Sequence, residues 1–377
     1  MPFDRIAFSD KIRRSREHLA VENPEIVAET GITESRLDAL MSGSVDPSGD
    51  EVLILADFFD CDYKFFISHE RLAAFEETDS LYRKHGEQFS KADRRFVQQF
   101  LYLCECESWL WNITNRRAEA FDFVPRGSNY KANGAKAALD LRRCLNYGVG
   151  EVPSDIYRDF RRLGIHIFRR KLTNSNISGV MIRHPKAGHC VLVNYDEDVY
   201  RQRFTAAHEL AHAIMEDTAV NLSMGSDGSN LVEVRANAFA SHYLLPPEFL
   251  ASIASGVGAW TPSILVERAA KLRVSTLMLR IALKERGIIS ESIFEELNGI
   301  SVPRSQKIDP ELANQTGRTR ERKLALLERG LSFHYVGECI ETLRAGHISR
   351  GRAAEMLLIS ESELYEVEQL FSMSEAQ

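Results

Sequence analysis

The sequence predicts a mainly α-helical chain with one small α+β core, a helical N-terminal module and a helical C-terminal tail. Three observations carry that expectation. Apolar residues recur at helical spacing along most of the chain, as in Phe96, Phe100, Leu103, Leu110 and Ile113. The period shortens in one place, where three β-favouring runs lie between Ile165 and Asn194. Soon after them comes Phe204 to Met215, a stretch without Pro or Gly that contains His208-Glu209-Leu210-Ala211-His212.

At 377 residues the chain is long enough for two or three domains. An apolar fraction of 44% and a charged fraction of 27% are those of an ordinary globular protein. The net charge of −7 excludes an overall basic footprint for nucleic acid. Cys61, Cys104, Cys106, Cys144, Cys190 and Cys339 have no framework spacing, so free thiols in a reducing compartment are expected. The first residues carry charges where a signal peptide needs an apolar core, and no apolar run is long enough to span a membrane. The expectation is a cytoplasmic protein with no membrane partner.

Residues 1–70 read as a domain of short helices. Thr30-Gly31-Ile32-Thr33 is a turn with Thr33 as helix N-cap, Asp46 to Asp50 is a loop, and Val52 to Phe59 begins another helix. This order resembles the Xre/Cro-type helix-turn-helix of bacterial repressors, with Pro24 to Thr30 as the first helix of the motif and Ser35 to Met41 in the place of the recognition helix. The charge disfavours DNA. The domain has 15 acidic against 7 basic side chains, a net of −8, whereas a DNA reader needs several cations facing phosphate. Lys11, Arg13, Arg14 and Arg16 form the one cationic cluster, and Arg36 lies on the recognition-helix position. These arginines are the candidate contacts to DNA or protein. A protein-binding or dimerising module is the favoured expectation, and homodimerisation is one form of it.

Residues 71–130 continue as a helical connector that ends at Pro125-Arg126-Gly127. Residues 131–299 hold the core. Helices are expected over Ala135 to Leu145 and Ser154 to Leu163, the latter stopped by Gly164. Strands are expected at Ile165 to Phe168, Ile177 to Ile182 and Cys190 to Asn194, the last two joined by a Pro185-Lys186-Ala187-Gly188 turn.

Histidines four apart lie on one helix face, one turn above each other, and can grip one metal ion; zinc is the usual guest. Glu209 beside the first of them is placed to act as general base. A catalytic zinc takes three protein ligands and leaves a position open. Glu216 lies one turn beyond His212, out of reach of an ion held between the histidines. Asp227 sits in a Gly/Ser-rich loop, Gly225 to Asn230, that would have to fold inward. Glu233 is better placed. It opens a second helix, Leu231 to Leu245, where Glu233, Asn237 and Ala240 share a face and Ala236 and Ala240 permit close approach.

Arg203-Phe204-Thr205-Ala206-Ala207-His208-Glu209-Leu210-Ala211-His212, then Glu233-Val234-Arg235-Ala236-Asn237-Ala238-Phe239-Ala240 and Leu244-Leu245-Pro246, resemble the ImmA/IrrE family of metallopeptidases. The resemblance runs from about Asn133 to Ile289. It implies a zincin-like α+β metallopeptidase core of the gluzincin kind, with Zn2+ on His208, His212 and Glu233. It also implies that Glu209 passes the proton in peptide hydrolysis. In that family the substrate is a transcriptional repressor, an antitoxin or a similar regulator, cut under stress or during phage and mobile-element responses. The chain departs from the family pattern at Tyr243, where the first Leu of L-L-x-P stands, and at His242, which lies opposite Glu233 by helical phase. The oxyanion partner is open among His166, His184, His189, Arg203 and Tyr243. Self-cleavage between Glu70 and Asp93 is a further expectation to test. The alternative function is a DNA-binding regulator whose metal site senses or stabilises.

Residues 300–377 read as a linker and a small helical tail. Arg318 to Lys323 is a basic run that reads as a solvated face. Ile348 to Leu364 resembles a small helix-turn-helix of the kind that follows some antitoxin-like regulators.

Overall fold

The computed structural model describes the chain except residues 1–2, 60, 62, 68–77, 79–80, 82–85, 175, 216–219, 225–229, 313–316 and 373–377. Glu216, Asp227 and most of the 70–85 stretch therefore lie outside the described residues. The chain forms two compact units. One holds Met1–Tyr102 with His184–Lys186, the other Leu103–Arg183 with Ala187–Gln377.

The first unit contains α1 (Arg5–Leu19), α2 (Asn23–Thr30), α3 (Glu34–Met41), α4 (Gly49–Phe58) and α5 (Tyr63–Ile67). Local chemistry sets their ends. The Asp4 carboxylate accepts from the Ile6 and Ala7 amides at the start of α1, and Ser48 with Glu51 closes a capping box on α4. Gly31 stops α2 at φ 71°, a left-handed conformation that suits glycine. The helices bury Phe8, Ile12, Leu19, Ile26, Leu37, Leu40, Leu55 and Phe59 against one another. Ile6, Leu53 and Ile54 remain exposed.

Helix α6 (Lys91–Ile113) enters the second unit at Leu103. There follow α7 (Tyr130–Cys144) and α8 (Ile156–Arg162), then β1 (His166–Arg170), β2 (Ile177–His184), β3 (Gly188–Asn194), α9 (Val199–Ile214), β4 (Val220–Met224) and α10 (Leu231–Leu244). The strands form one sheet in the order β1-β3-β2-β4. β1 runs parallel to β3 from His166↔Cys190 to Arg170↔Asn194, and β4 runs antiparallel to β2. Three strands were expected from the sequence, and among the described residues the sheet has four. Val220-Asn221-Leu222-Ser223-Met224 alternates apolar and polar side chains, which is the strand pattern, but it is short and abuts a Gly/Ser-rich run.

Helices α9 and α10 sit at the centre of the core, packed with Ala137, Leu141, Ile156, Phe160, Val191 and Val193. Small residues set how closely the helices approach. A Cβ on Gly134 of α7 would stand 2.2 Å from the Arg235 carbonyl oxygen, so only glycine lets α7 lie this near α10. Helices α11 (Pro247–Ala254), α12 (Pro262–Leu272), α13 (Thr276–Glu285) and α14 (Glu291–Glu296) continue the unit, burying Leu265, Ala269, Leu272, Leu279 and Leu283 in the same core.

The tail is α15 (Gly317–Glu328), α16 (Phe333–Arg344), α17 (Arg350–Met356) and α18 (Glu361–Ser372). It is bonded to the edge strand β1. Arg169 gives both terminal nitrogens to Asp309 at 2.7 and 2.9 Å and a further bond to Glu311. Phe168 meets Tyr335 edge-on at 5.4 Å. Behind this joint is a fully buried ionic group. Glu107 of α6 accepts from Arg161 Nε at 2.8 Å and from His166 Nδ1 at 2.7 Å, and Trp111 stacks on the His166 ring. No helix among the described residues is long and apolar enough to cross a membrane.

Candidate metal centre

Helix α9 is capped by Asp198, whose carboxylate accepts from the Tyr200 amide, and its second half is buried throughout from Thr205 to Ala213. The i, i+4 spacing stacks the two imidazoles over one turn: His208 Nε2 and His212 Nε2 are 3.1 Å apart. Helix α10 begins at Leu231 with Asn230 as its cap, which sets Glu233 in the first turn. The carboxylate there lies 3.0 Å from His208 Nε2 through Oε2 and 3.4 Å from His212 Nε2 through Oε1. The three ligand-type atoms lie within 4.8 Å of one another.

The residues fit zinc. Ligand bonds of about 2.0–2.1 Å at tetrahedral angles put neighbouring donor atoms roughly 3.3 Å apart, which is the spacing of this cluster. His208 Nδ1 donates to Asn237 Oδ1 at 3.0 Å, which leaves the Nε2 lone pair directed at the cluster. Burial pushes the Glu233 carboxyl up, but its hydrogen bonds to His208 and then His212 outweigh this and hold it well below the usual carboxylate range. It is therefore an anion facing two imidazoles, the donor set a divalent cation requires.

Asn237 was legible as sharing a face with Glu233, one turn on, but its bond to His208 was not. Replacing Asn237 by Ala should weaken zinc binding roughly 10–100-fold, because the ring loses its orienting partner. Competition with a chelator of known affinity measures it.

Glu209 is fully buried on the sheet side of α9. A Cβ on Gly179 of β2 would stand 2.7 Å from Thr205 Cγ2 and 3.0 Å from Glu209 Oε1. The strand carries an irregularity in register between Ile177 and Gly179, so the backbone itself makes the wall of the site here. Gly179→Ala should press on the Glu209 carboxylate and not on the ligand atoms. The expected outcome is unchanged zinc content with turnover reduced at least about tenfold, the scale set when a catalytic group is misplaced. Paired metal analysis and a cleavage assay read both.

The oxyanion candidates divide. His166 is held by Glu107 under Trp111. Arg203 is fully buried and donates to the carbonyls of Pro153, Ser154 and Arg273, tying α9 to its surroundings. Tyr243 donates to Asp159 Oδ2 at 2.6 Å beside Tyr147, and burial pushes the Asp159 carboxyl up. All three side chains already have polar partners in the structure. His184 closes β2, and His189 lies just across the hairpin in β3. His242 bonds the Ala238 carbonyl through Nδ1 and stands apart from the cluster.

In the first unit Arg36 makes a two-toothed bond to Glu51 at 2.7 and 2.8 Å. Arg13 pairs with Asp10, Arg16 donates to Asn23, and the Lys11 ammonium is buried against the Phe65 carbonyl. Arg14 is exposed.

Residues 160–284, which contain β1 to β4 and α9 and α10, match the peptidase family described as the IrrE N-terminal-like domain. The chain is also similar to the radiation response metalloprotease IrrE of Deinococcus deserti, 33% identical over 104 residues. The match covers 26% of this chain and 37% of that protein's length. The chain thus carries a metallopeptidase-type segment, and that segment contains His208, Glu209, His212 and Glu233.

Proposed function

We propose that this protein is a zinc-dependent endopeptidase of the ImmA/IrrE kind that cuts a regulatory protein. The observation that carries the reading is the convergence of His208, His212 and Glu233 from two helices, with Glu209 beside them. His208, His212 and Glu233 would hold the ion. When bound, zinc supplies a Lewis acid for the peptide carbonyl and lowers the pKa of water toward neutrality. Glu209 takes the proton from the attacking water and returns it to the leaving amine. Asn237 keeps the His208 ring in the required tautomer. Gly179 leaves room for the Glu209 carboxylate.

The substrate in this reading is a helix-turn-helix repressor or an antitoxin. Residues 1–70 are an Xre/Cro-like module that recruits it by pairing with a like fold. Its acidic balance and the exposed Ile6, Leu53 and Ile54 support a protein partner. The ion pairs of Arg13 and Arg36 leave little positive charge for phosphate, which weighs against a DNA-binding regulator with a merely structural metal. The work takes place in the cytoplasm, and the likeness to a radiation response protein suggests stress as its setting.

Metal stoichiometry tests the site. Native mass spectrometry should find one zinc per chain, lost on His212→Ala and on Glu233→Ala. Full zinc retention by both variants would place the metal elsewhere and overturn the reading.

A further inference from the structure

A cavity of about 260 Å³ lies where the tail meets the core, away from the cluster of α9 and α10. Tyr157, Arg158 and Arg161 of α8, Glu311, Lys323 of α15 and Phe333 of α16 are among the residues that line it. Lys323 differs from the other charged residues here. The residue is 5% exposed, yet no carboxylate among the described residues pairs with its ammonium; the rings of Phe333 and Phe371 lie 4.9 and 5.4 Å from it. Burial alone pulls its pKa down, with no acid to offset that.

The neighbouring charges are already committed. Arg161 is neutralised by Glu107, Glu311 is bound to Arg169 and to the Phe333 amide, and Glu338 holds Arg116 and His334. Asp155 accepts from the Tyr157 and Arg158 amides as the cap of α8. Arg158, exposed at the rim, has no ion pair among the described residues. Arg158, Arg161 and Lys323 thus line the cavity with Asp155 and Glu311. With Arg161 held by Glu107 and Glu311 by Arg169, the ammonium of Lys323 is left without an anion of its own among the described residues, and that is costly when it is buried. The basic run Arg318 to Lys323, which reads as solvated surface in the sequence, turns its last member into this cavity.

We propose that the cavity is a binding site for a small organic anion, its phosphate or carboxylate head held by Lys323 and Arg158 and its apolar part against Phe333. Such a ligand bridges α8 of the core to α15 and α16 of the tail and so couples tail docking to the strand β1. The inference does not depend on peptidase activity.

The test uses the full chain in calorimetric titrations with inorganic phosphate and, separately, with benzoate. Saturable binding of one of them is expected, and which one binds tells a phosphate from a carboxylate head. Arg158→Gln, at an exposed position where folding is not at risk, should weaken that binding roughly tenfold or more, as should Lys323→Met, while Lys323→Arg keeps it. The proposal is overturned if neither probe binds saturably. It is equally overturned if Arg158→Gln leaves the affinity of the bound probe unchanged.

Discussion

Glu209→Gln should lower peptide cleavage by roughly 10²–10⁴-fold while zinc content and melting temperature stay as in the wild type. The amide has the shape of the carboxylate but no basic oxygen to take a proton. It also occupies the same space beside Gly179, so neither α9 nor β2 has to shift. Zinc content should hold because the mutual contacts of His208, His212 and Glu233 are made by those three side chains, none of which is altered. A peptide assay with metal analysis on the same preparation reads both properties. Cleavage at the wild-type rate by the variant would remove Glu209 from the reaction.

Glu107→Ala should destabilise the second unit by about 3–5 kcal/mol, the cost of leaving one member of a buried ion pair without its partner. Arg161 is 2% exposed and would be left as a buried cation whose remaining bonds go to the neutral Ile167 carbonyl and Ser332 hydroxyl. The same group makes stability depend on pH. Burial pushes the Glu107 carboxyl up, but Arg161 and then His166 outweigh this and bring it from the ordinary 4.5 to about 2. A folded-state value below the unfolded one means that the contribution is fully present above pH 4.5 and is lost as the pH falls toward 2. Urea unfolding curves at pH 7 and pH 3 should therefore differ less in Glu107→Gln than in the wild type.

The meeting of His208, His212 and Glu233 was legible because its geometry is local. Four residues along one helix fix the His208–His212 pair, and a cap followed by a helix start fixes Glu233 in the first turn of α10. The helices and three of the strands were legible from periodicity and Gly punctuation. What stayed hidden depends on residues far apart in sequence. Glu107 meets Arg161 and His166 more than fifty positions away, and no periodicity announces a buried charge pair. Gly179 and Gly134 look like ordinary glycines until the neighbouring helix is brought against them. Lys323 sits in a basic run, and its burial follows from how α15 packs on Phe333 and Phe371. Tyr243 and Arg203 looked suited to an oxyanion because of their chemistry, but their bonds go to Asp159 and to backbone carbonyls.

The central claim, that the protein cuts a regulator at a zinc site, is tested most directly by mapping new protein N-termini across the proteome. Cells that express the wild type are compared with cells that express Glu209→Gln, at rest and under DNA-damaging stress. The account predicts new termini confined to one or a few DNA-binding regulators and absent from the variant. Identical termini in both strains under both conditions would contradict it.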